Sequence, residues 1–234
     1  MDLLSAARTT GAVRHFTDEP VTDDLVHRVL DTARFAPSGG NRQGWRVVVV
    51  RSPDTKRRLA ELSQPTWNAY RAMVAAGENP FNTVAPTQVD VEVAERQHAE
   101  NPLLGHIAGV PVVLVVGLDL SVTASVDAGL DRVGVVSGAS IYPFVWNLLL
   151  APRAEGLGGV ITTFLARAEP AVQALLGFPP HVAVAAMVPI GHPVHQPTRL
   201  RRNPVESFAT LERFDGAPLR SSSGGGTSAT GALS

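Results

Sequence analysis

The sequence predicts a domain of the α+β class, in which helices are combined with three short valine-rich strands. Valine dominates residues 47–50, Pro111–Leu118 and Val182–Ile190, and short apolar runs bounded by turn residues are typical of buried strands. With 234 residues, 44% of them hydrophobic and 18% charged, the chain can bury a full core. We therefore predict a single domain over residues 1–214. A disordered tail follows over residues 215–234, because its glycine, serine and threonine content cannot support a core.

Composition narrows the classes of partner. The net charge of −1 gives no general attraction to nucleic acid or to an anionic membrane, so small molecules are the expected ligands. The lack of cysteine excludes disulfides, thiolate metal sites and a cysteine nucleophile. The longest apolar run, residues 110–118, is too short to cross a bilayer, and no apolar signal stretch precedes Arg8. We therefore expect a cytoplasmic protein.

The first elements are two helices separated by a polar segment. A short helix is expected over Asp2–Arg8, and the residues from Arg8 to Phe16 then bring two arginines and two threonines close to a glycine. Such a segment is either an anion cradle, since arginine forks and free N–H groups favour phosphate oxygens, or a solvated arm. Thr22 caps the next helix, whose core-facing positions follow at helical spacing: Leu25, Val26, Val29, Leu30 and Ala33.

The stretch from Phe35 to Val50, a polar loop followed by a strand, is the one around which the chain is organised. Pro37 ends the preceding helix, and Gly39 and Gly40 let a flat ligand approach the backbone. Asn41 and Gln43 both donate and accept hydrogen bonds, which suits the edge of a heterocycle with carbonyl and N–H groups. The alternative interpretation is an ordinary connection between a helix and a strand.

Residues 52–106 begin with a clear helix start, but no helical period continues past residue 63. Ser52 as cap and Pro53 in the first turn predict a helix that buries Leu59 and Leu62. From Gln64 to His106 aromatic residues and prolines interrupt any period, so we expect an irregular segment that faces the acceptor substrate or is mobile. Within it, one solvated helical face is predicted for Glu92, Glu95, Arg96 and Glu100.

The second half of the chain should hold the central strand and the most apolar helix. The strand Pro111–Leu118 is expected at the centre of the sheet. An apolar helix over Gly134–Arg153, with Pro143 in its first turn, belongs to the core or to a subunit interface. Gly156–Phe164 is not a dinucleotide fingerprint, because the third glycine is missing and it follows a helix. Its backbone N–H groups and threonines are expected to face a ligand.

Two other chemistries are disfavoured. Residues 138–142 lack the last glycine of a nucleophile elbow, which argues against a hydrolase. His192 and His195 flank Pro193 on a predicted loop with no nearby carboxylate, so a metal role is not expected. The basic run Arg199, Arg201 and Arg202, followed by a terminal arm over Val205–Phe214, is either an anion site or a solvated face.

Taken together, four motifs resemble the flavin-dependent nitroreductase family. Relatives typically carry R-S-x-R-x-F, then A-P-S-x-x-N-x-Q-P-W, then G-L-G-T before a threonine pair, and finally R-R-x-P-V-E. The corresponding stretches here are Gly11–Phe16, Ala36–Trp45, Gly156–Thr163 and Arg201–Glu206, in the same order and spacing. Each motif is weak alone, and the ordered set is specific.

The resemblance implies a mixed, mostly antiparallel sheet flanked by helices, in a homodimer that exchanges carboxy-terminal arms and holds two FMN at its interface. By this likeness Arg14 would lie at the pyrimidine edge of the flavin, and Asn41 and Gln43 would bind the ring and ribityl groups. Thr162 and Thr163 would lie near N5. The phosphate would be bound by Arg201, Arg202, Thr10 and Gly11. The other cofactor-binding positions would be Ala12, Ser38, Gly39 and Gly159. No catalytic side chain is assigned, since the flavin carries the chemistry.

Two departures from the family pattern stand out. Gly11 and Ala12 replace a basic residue and a serine, which removes side-chain contacts to the phosphate. Gly44 replaces the proline before Trp45, so a looser turn is expected. The resemblance implies an FMN enzyme that takes hydride from NAD(P)H and reduces a nitroaromatic, a quinone or a related acceptor. A different flavin- or deazaflavin-linked biosynthetic oxidoreductase and a non-catalytic flavin carrier stay open as alternatives.

Overall fold

The computed structural model describes residues 2–221 and divides into two compact units, with the boundary between Thr198 and Arg199. Residues 222–234 of the predicted tail lie outside the described residues. Residues 215–221 are described, and within the second unit Leu219 donates its backbone N–H to the carbonyl of Ala209 at 2.9 Å. The predicted domain limit at residue 214 stays a prediction.

The first unit is built on a four-stranded sheet whose strands are ordered β1-β2-β4-β3. The strands are β1 (Trp45–Val50), β2 (Val112–Asp119), β3 (Gly158–Gly159) and β4 (Val182–Gly191), and all three pairings are antiparallel. Every residue of β2 is buried, which confirms its predicted central place. The α+β class with an antiparallel sheet is thereby confirmed.

Two apolar layers cover the sheet because successive side chains of a strand point to opposite faces. Leu114 and Val116 of β2 pack with Val145 and Leu148 on one face, together with the helix that Thr22 caps. Val113 and Val115 pack with Leu59 and Met187 on the other. The valine runs therefore read as continuous apolar stretches because both faces of the sheet are covered.

Six α-helices are present in the described part of the chain. Their bounds are α1 Leu3–Thr9, α2 Asp23–Ala33, α3 Pro53–Ala75, α4 Val91–Arg96, α5 Tyr142–Ala154 and α6 Glu169–Leu176. The two predicted caps are confirmed, because the side chains of Thr22 and Ser52 accept the N–H groups of Leu25 and Thr55. Gly177 ends α6 at φ 72°. Within residues 2–221, no helix combines the length and apolar character that crossing a membrane would require.

The prediction that an irregular segment begins at Gln64 was wrong, because α3 continues through Pro65 to Ala75. Its buried side continues with polar residues, including Ser63, Thr66 and Asn68, so no apolar period marks it in the sequence. The hydroxyl of Ser63 donates to the carbonyl of Leu59 at 2.8 Å. The amide of Asn68 donates to the carbonyl of Glu95 at 3.0 Å and accepts the N–H of Ala99 at 3.1 Å, which fastens the following segment to α3.

Two further boundaries differ from expectation. The predicted solvated face of residues 92–100 shrinks to α4, and Glu95 is instead half-buried and paired with Arg167 at 2.6 Å. The apolar helix begins at Tyr142 rather than Gly134. Val136–Ser140 forms a separate 3₁₀ helix instead, and the carboxylate of Asp127 accepts the N–H of Val135 just before it at 2.7 Å. These bonds, with Arg132, also hold the pKa of Asp127 below its usual value.

Candidate functional site

The segment that carries Arg14 lies along the edge of the sheet. Val13 donates its N–H to Gly159 of β3 at 2.9 Å, and Val194 donates to His15 at 3.1 Å. Val13 is buried, and the next residue, Arg14, therefore points away from the core and is exposed. The backbone thus fixes Arg14 beside the glycine-rich stretch.

Thr162 and Thr163 follow β3 on the same edge. Thr162 exchanges two backbone hydrogen bonds with Met187, both 2.9 Å, and its hydroxyl is 3.4 Å from the carbonyl of Met187. Thr163 is exposed and precedes a 3₁₀ turn over Phe164–Ala168. The hydroxyl of Thr162 is therefore directed at the sheet, while Thr163 is open to a ligand.

A cavity of about 610 Å³ brings Arg14, Thr162 and Thr163 together. Its other wall is aromatic: Trp67 and Tyr70 of α3 stack at 5.6 Å with 10° between their planes, and Phe164 meets Trp67 edge-on at 5.5 Å. The wall is supplied by the segment expected to face the acceptor. A cavity with an apolar wall and few polar groups is the usual form of a small-molecule site.

The electrostatics of this cavity are one-sided. Arg14 and Arg71 line it, none of its lining residues is acidic, and neither arginine forms an ion pair within residues 2–221. The sequence analysis missed Trp67, Tyr70 and Arg71. Their spacing of three and four residues on a helix would have placed them together, had α3 been predicted to continue.

The loop from Ser38 to Gln43 is tightly ordered. Ser38 accepts the N–H of Gln43 at 3.0 Å, and Ser140 accepts that of Gly39 at 3.1 Å. Gly40, Asn41 and Gln43 all have positive φ, at 62°, 53° and 51°. Such backbone costs about 1–3 kcal/mol for a non-glycine residue and is concentrated at functional sites. The amides of Asn41 and Gln43 are exposed, and they lie 3.3 Å apart.

Gly44 does not loosen this turn, and that expectation was wrong. Its carbonyl accepts the N–H of Asp119 at 2.7 Å, and a Cβ at this position would lie 3.3 Å from the carbonyl oxygen of Asp119. Arg46 pairs with Asp119 at 2.7 Å, and Trp45 stacks on Phe144 at 4.9 Å. Glycine therefore lets the loop lie against the segment after β2.

The two sets of site residues lie on opposite edges of the sheet. Ser38, Gly39, Asn41 and Gln43 precede β1, whereas Arg14, Gly159, Thr162 and Thr163 lie at or beside β3. Three strand spacings separate these edges, which is about 14 Å at the usual spacing of ~4.8 Å. One chain therefore brings the second set together and holds the first set apart from it.

The expected phosphate residues of the first unit surround the end of α1. Thr10 and Gly11 are buried and Ala12 is exposed, and the hydroxyl of Thr10 donates to the carbonyl of Ala6 at 2.7 Å. Arg153, which the sequence analysis assigned only to the end of α5, reaches the hydroxyl of Thr9 at 3.4 Å. Its Nε is buried and has no hydrogen-bond partner in the described part of the chain.

Arg201 and Arg202 belong to the second unit. Both are exposed, and Arg202 donates to the carbonyl of Arg201 at 2.7 Å. The same unit exposes large apolar side chains, with Phe208 72% and Phe214 100% accessible.

In the first unit, Glu19 lies 3.4 Å from His192, so the expectation that this histidine has no nearby carboxylate was wrong.

Comparison with known proteins identifies the family. The model of the nitroreductase family matches residues 7–192. The chain is 29% identical to an NADH dehydrogenase of Thermus thermophilus, over 88% of this chain and 94% of that protein. It is 31% identical to the 5,6-dimethylbenzimidazole synthase of Rhodobacter capsulatus, over 82% and 83%. The structure of the NADPH:FMN oxidoreductase of Vibrio harveyi in complex with NAD+ superposes with a TM-score of 0.64 at 19% identity, covering 90% of this chain and 77% of that one. The chain therefore belongs to the nitroreductase family of oxidoreductases.

Proposed function

We propose that the protein is an FMN-dependent oxidoreductase that takes hydride from NAD(P)H and reduces a nitroaromatic, a quinone or a related acceptor. The observation that carries this proposal is the cavity in which Arg14, Thr162 and Thr163 face an aromatic wall and no carboxylate. A negatively charged reduced ring and an aromatic acceptor both suit such a lining. The names of the Thermus and Vibrio relatives support the donor and the cofactor.

Bound FMN would supply hydride acceptance and donation at N5, and the protein would supply position and charge. Arg14, exposed and without an acidic partner in residues 2–221, would stabilise negative charge at the pyrimidine edge. The backbone of Gly159 to Thr163, fixed by its bonds to β4, would present a flat surface near N5. Thr10, Gly11 and Ala12, with Arg201 and Arg202, would hold the phosphate, and Arg153 would add a cation beside Thr9.

The separation of the two sets of residues supports a homodimer. Since about 14 Å separates the sheet edges, the Ser38–Gln43 loop of one subunit would complete the cavity of its partner. Asn41 and Gln43, whose side chains are exposed, would then bond the ring and ribityl groups. The second unit would serve as the exchanged arm, which buries the exposed Phe208 and Phe214 against the partner. The cytoplasmic location expected from the sequence belongs to the same proposal.

An absorbance spectrum tests the proposal directly. The purified protein, supplied with FMN and freed of excess, should keep the flavin band near 450 nm, a wavelength that belongs to the cofactor. Addition of NADPH or NADH without oxygen should bleach the band, and an acceptor should restore it. Protein that stays colourless after incubation with FMN would refute the proposal.

A second candidate is a different flavin reaction on the same fold, such as a biosynthetic oxidation or the use of a deazaflavin donor. The identity to the dimethylbenzimidazole synthase favours it. Retained flavin that is bleached by a reduced deazaflavin, and by neither nicotinamide, would select this candidate. Retained flavin that no donor bleaches would select a non-catalytic carrier, for which the loss of phosphate contacts at Gly11 and Ala12 is the argument.

A further inference from the structure

We propose that the physiological acceptor is an aromatic ring that carries an anionic substituent, and that Arg71 is the residue that selects it. This inference rests on the proposed function and names the substrate class of the same cavity. It depends on three features of the cavity wall: a fixed aromatic surface, an arginine without a carboxylate partner, and the distance between them.

The aromatic surface is held in place. The indole N–H of Trp67 donates to the carbonyl of Glu100 at 3.0 Å, and Tyr70 stacks on the ring at 5.6 Å. Phe164 closes the cluster from the other side of the cavity wall, edge-on to both rings at 5.5 and 5.9 Å. Because the rings support one another, the surface is preorganised to receive a flat aromatic molecule.

Arg71 differs from the other arginines of α3. Arg57 and Arg58 each pair with an acid on the same helix, Asp54 and Glu61. Arg71 has no such partner in residues 2–221, and its guanidinium lies 5.8 Å from the centre of the Trp67 ring. A guanidinium presents donors in a planar fork that matches a carboxylate, and here it lies at the rim of a cavity free of lining acids.

The position of this charge favours a compact acid. An anion bonded to Arg71 would lie near the aromatic cluster, since the guanidinium carbon lies over the Trp67 ring at 5.8 Å from its centre. A benzoate-like molecule would therefore stack on the wall and pair with Arg71 at the same time. The phosphate of a dinucleotide donor would also pair with an arginine, so the experiment includes both donors.

The test measures binding and turnover on FMN-loaded protein. Benzoate and its neutral analogue benzamide are titrated by calorimetry, and 4-nitrobenzoate is compared with 4-nitrobenzamide as acceptor. We expect Arg71→Ala to weaken benzoate binding about tenfold, the loss of roughly one charge-assisted hydrogen bond, and to leave benzamide unchanged. For 4-nitrobenzoate KM should rise while kcat stays unchanged. Arg71→Lys should keep part of the preference.

Arg58→Ala is the matched control, since it removes the same charge from an exposed position of the same helix. Arg58→Ala should leave the binding of benzoate and benzamide and the turnover of both nitro compounds unchanged. Equal loss in both variants would assign the effect to general charge and overturn the proposal. So would a change in the NADPH to NADH preference of Arg71→Ala without a change for benzoate. If no nicotinamide bleaches the flavin, the proposed function fails, whereas the benzoate titration still decides the role of Arg71.

Discussion

Replacement of Gly158 by alanine should disturb the packing of the segment that carries Arg14. A Cβ at this position would lie 2.6 Å from Cγ2 and 3.1 Å from Cβ of Val13. Carbon atoms in contact prefer about 3.5–4.0 Å, so Val13 must retreat by roughly 1 Å. Val13 is only 2% exposed and its N–H is bonded to Gly159, so there is little free space for this movement. We expect the free energy of unfolding to fall by about 1–3 kcal/mol, the usual cost of overpacking.

A double-mutant cycle measured by urea unfolding checks this reasoning. Val13→Ala removes the crowded methyl groups, so the double variant should be less destabilised than the sum of the single variants by about 1 kcal/mol. Gly105→Ala serves as the control, because a Cβ there meets no atom within 4 Å. Strictly additive losses would show that the contact between residues 158 and 13 does not carry the effect. FMN affinity should fall in Gly158→Ala, since Arg14 follows Val13 directly.

Three other outcomes follow from the structure. Hydrogen bonds from the N–H of Val135 and then from Arg132 hold the pKa of Asp127 below its usual value. The ionised carboxylate therefore stabilises the fold at pH values above its unfolded pKa, near 3.9. This contribution is lost as the pH falls through the lower folded pKa. The melting temperature should drop in that acidic range, and Asp127→Asn should reduce the drop; an identical pH profile for both proteins would contradict this. Asn41→Gly relieves a left-handed backbone at φ 53°, so the free energy of unfolding should stay level or rise by up to about 1 kcal/mol while FMN binds more weakly. Unchanged FMN affinity in that variant would remove Asn41 from the proposed site. Arg202→Ala should weaken FMN binding by about 1.5–3 kcal/mol if the side chain donates to the phosphate. Arg213→Ala, which breaks an exposed pair with Asp215, should leave FMN binding unchanged. Equal dissociation constants for wild type and Arg202→Ala would exclude that contact.

Local chemistry in the sequence was enough to place the three long strands and the starts of α2 and α3. Thr22 and Ser52 cap as expected because a side-chain oxygen before a helix satisfies an orphan N–H whatever the fold. The valine runs predict strands because few other elements bury six to ten consecutive apolar residues. Each of these signals depends on residues close together in the sequence, so it does not require knowledge of tertiary contacts.

The missed features depend on partners far along the chain. The second half of α3 is stabilised by contacts of Asn68 with residues 95–99, which no local pattern reports. The same error hid the relation between Trp67, Tyr70 and Arg71. Likewise, the order of the motifs could not show that the Asn41 loop and Arg14 lie on opposite sheet edges, since strand order depends on which strands pair.

The attachment of residues 95–99 to α3 through Asn68 and Gln64 has a consequence for the cavity. One wall of the cavity is built on the sheet, where any shift in β3 or β4 disturbs the core. The opposite wall depends on α3 and the segment that Asn68 holds, and this part has its own hydrogen bonds. A substitution in that segment can therefore reshape the aromatic wall while the packing of the sheet beneath the other wall is preserved.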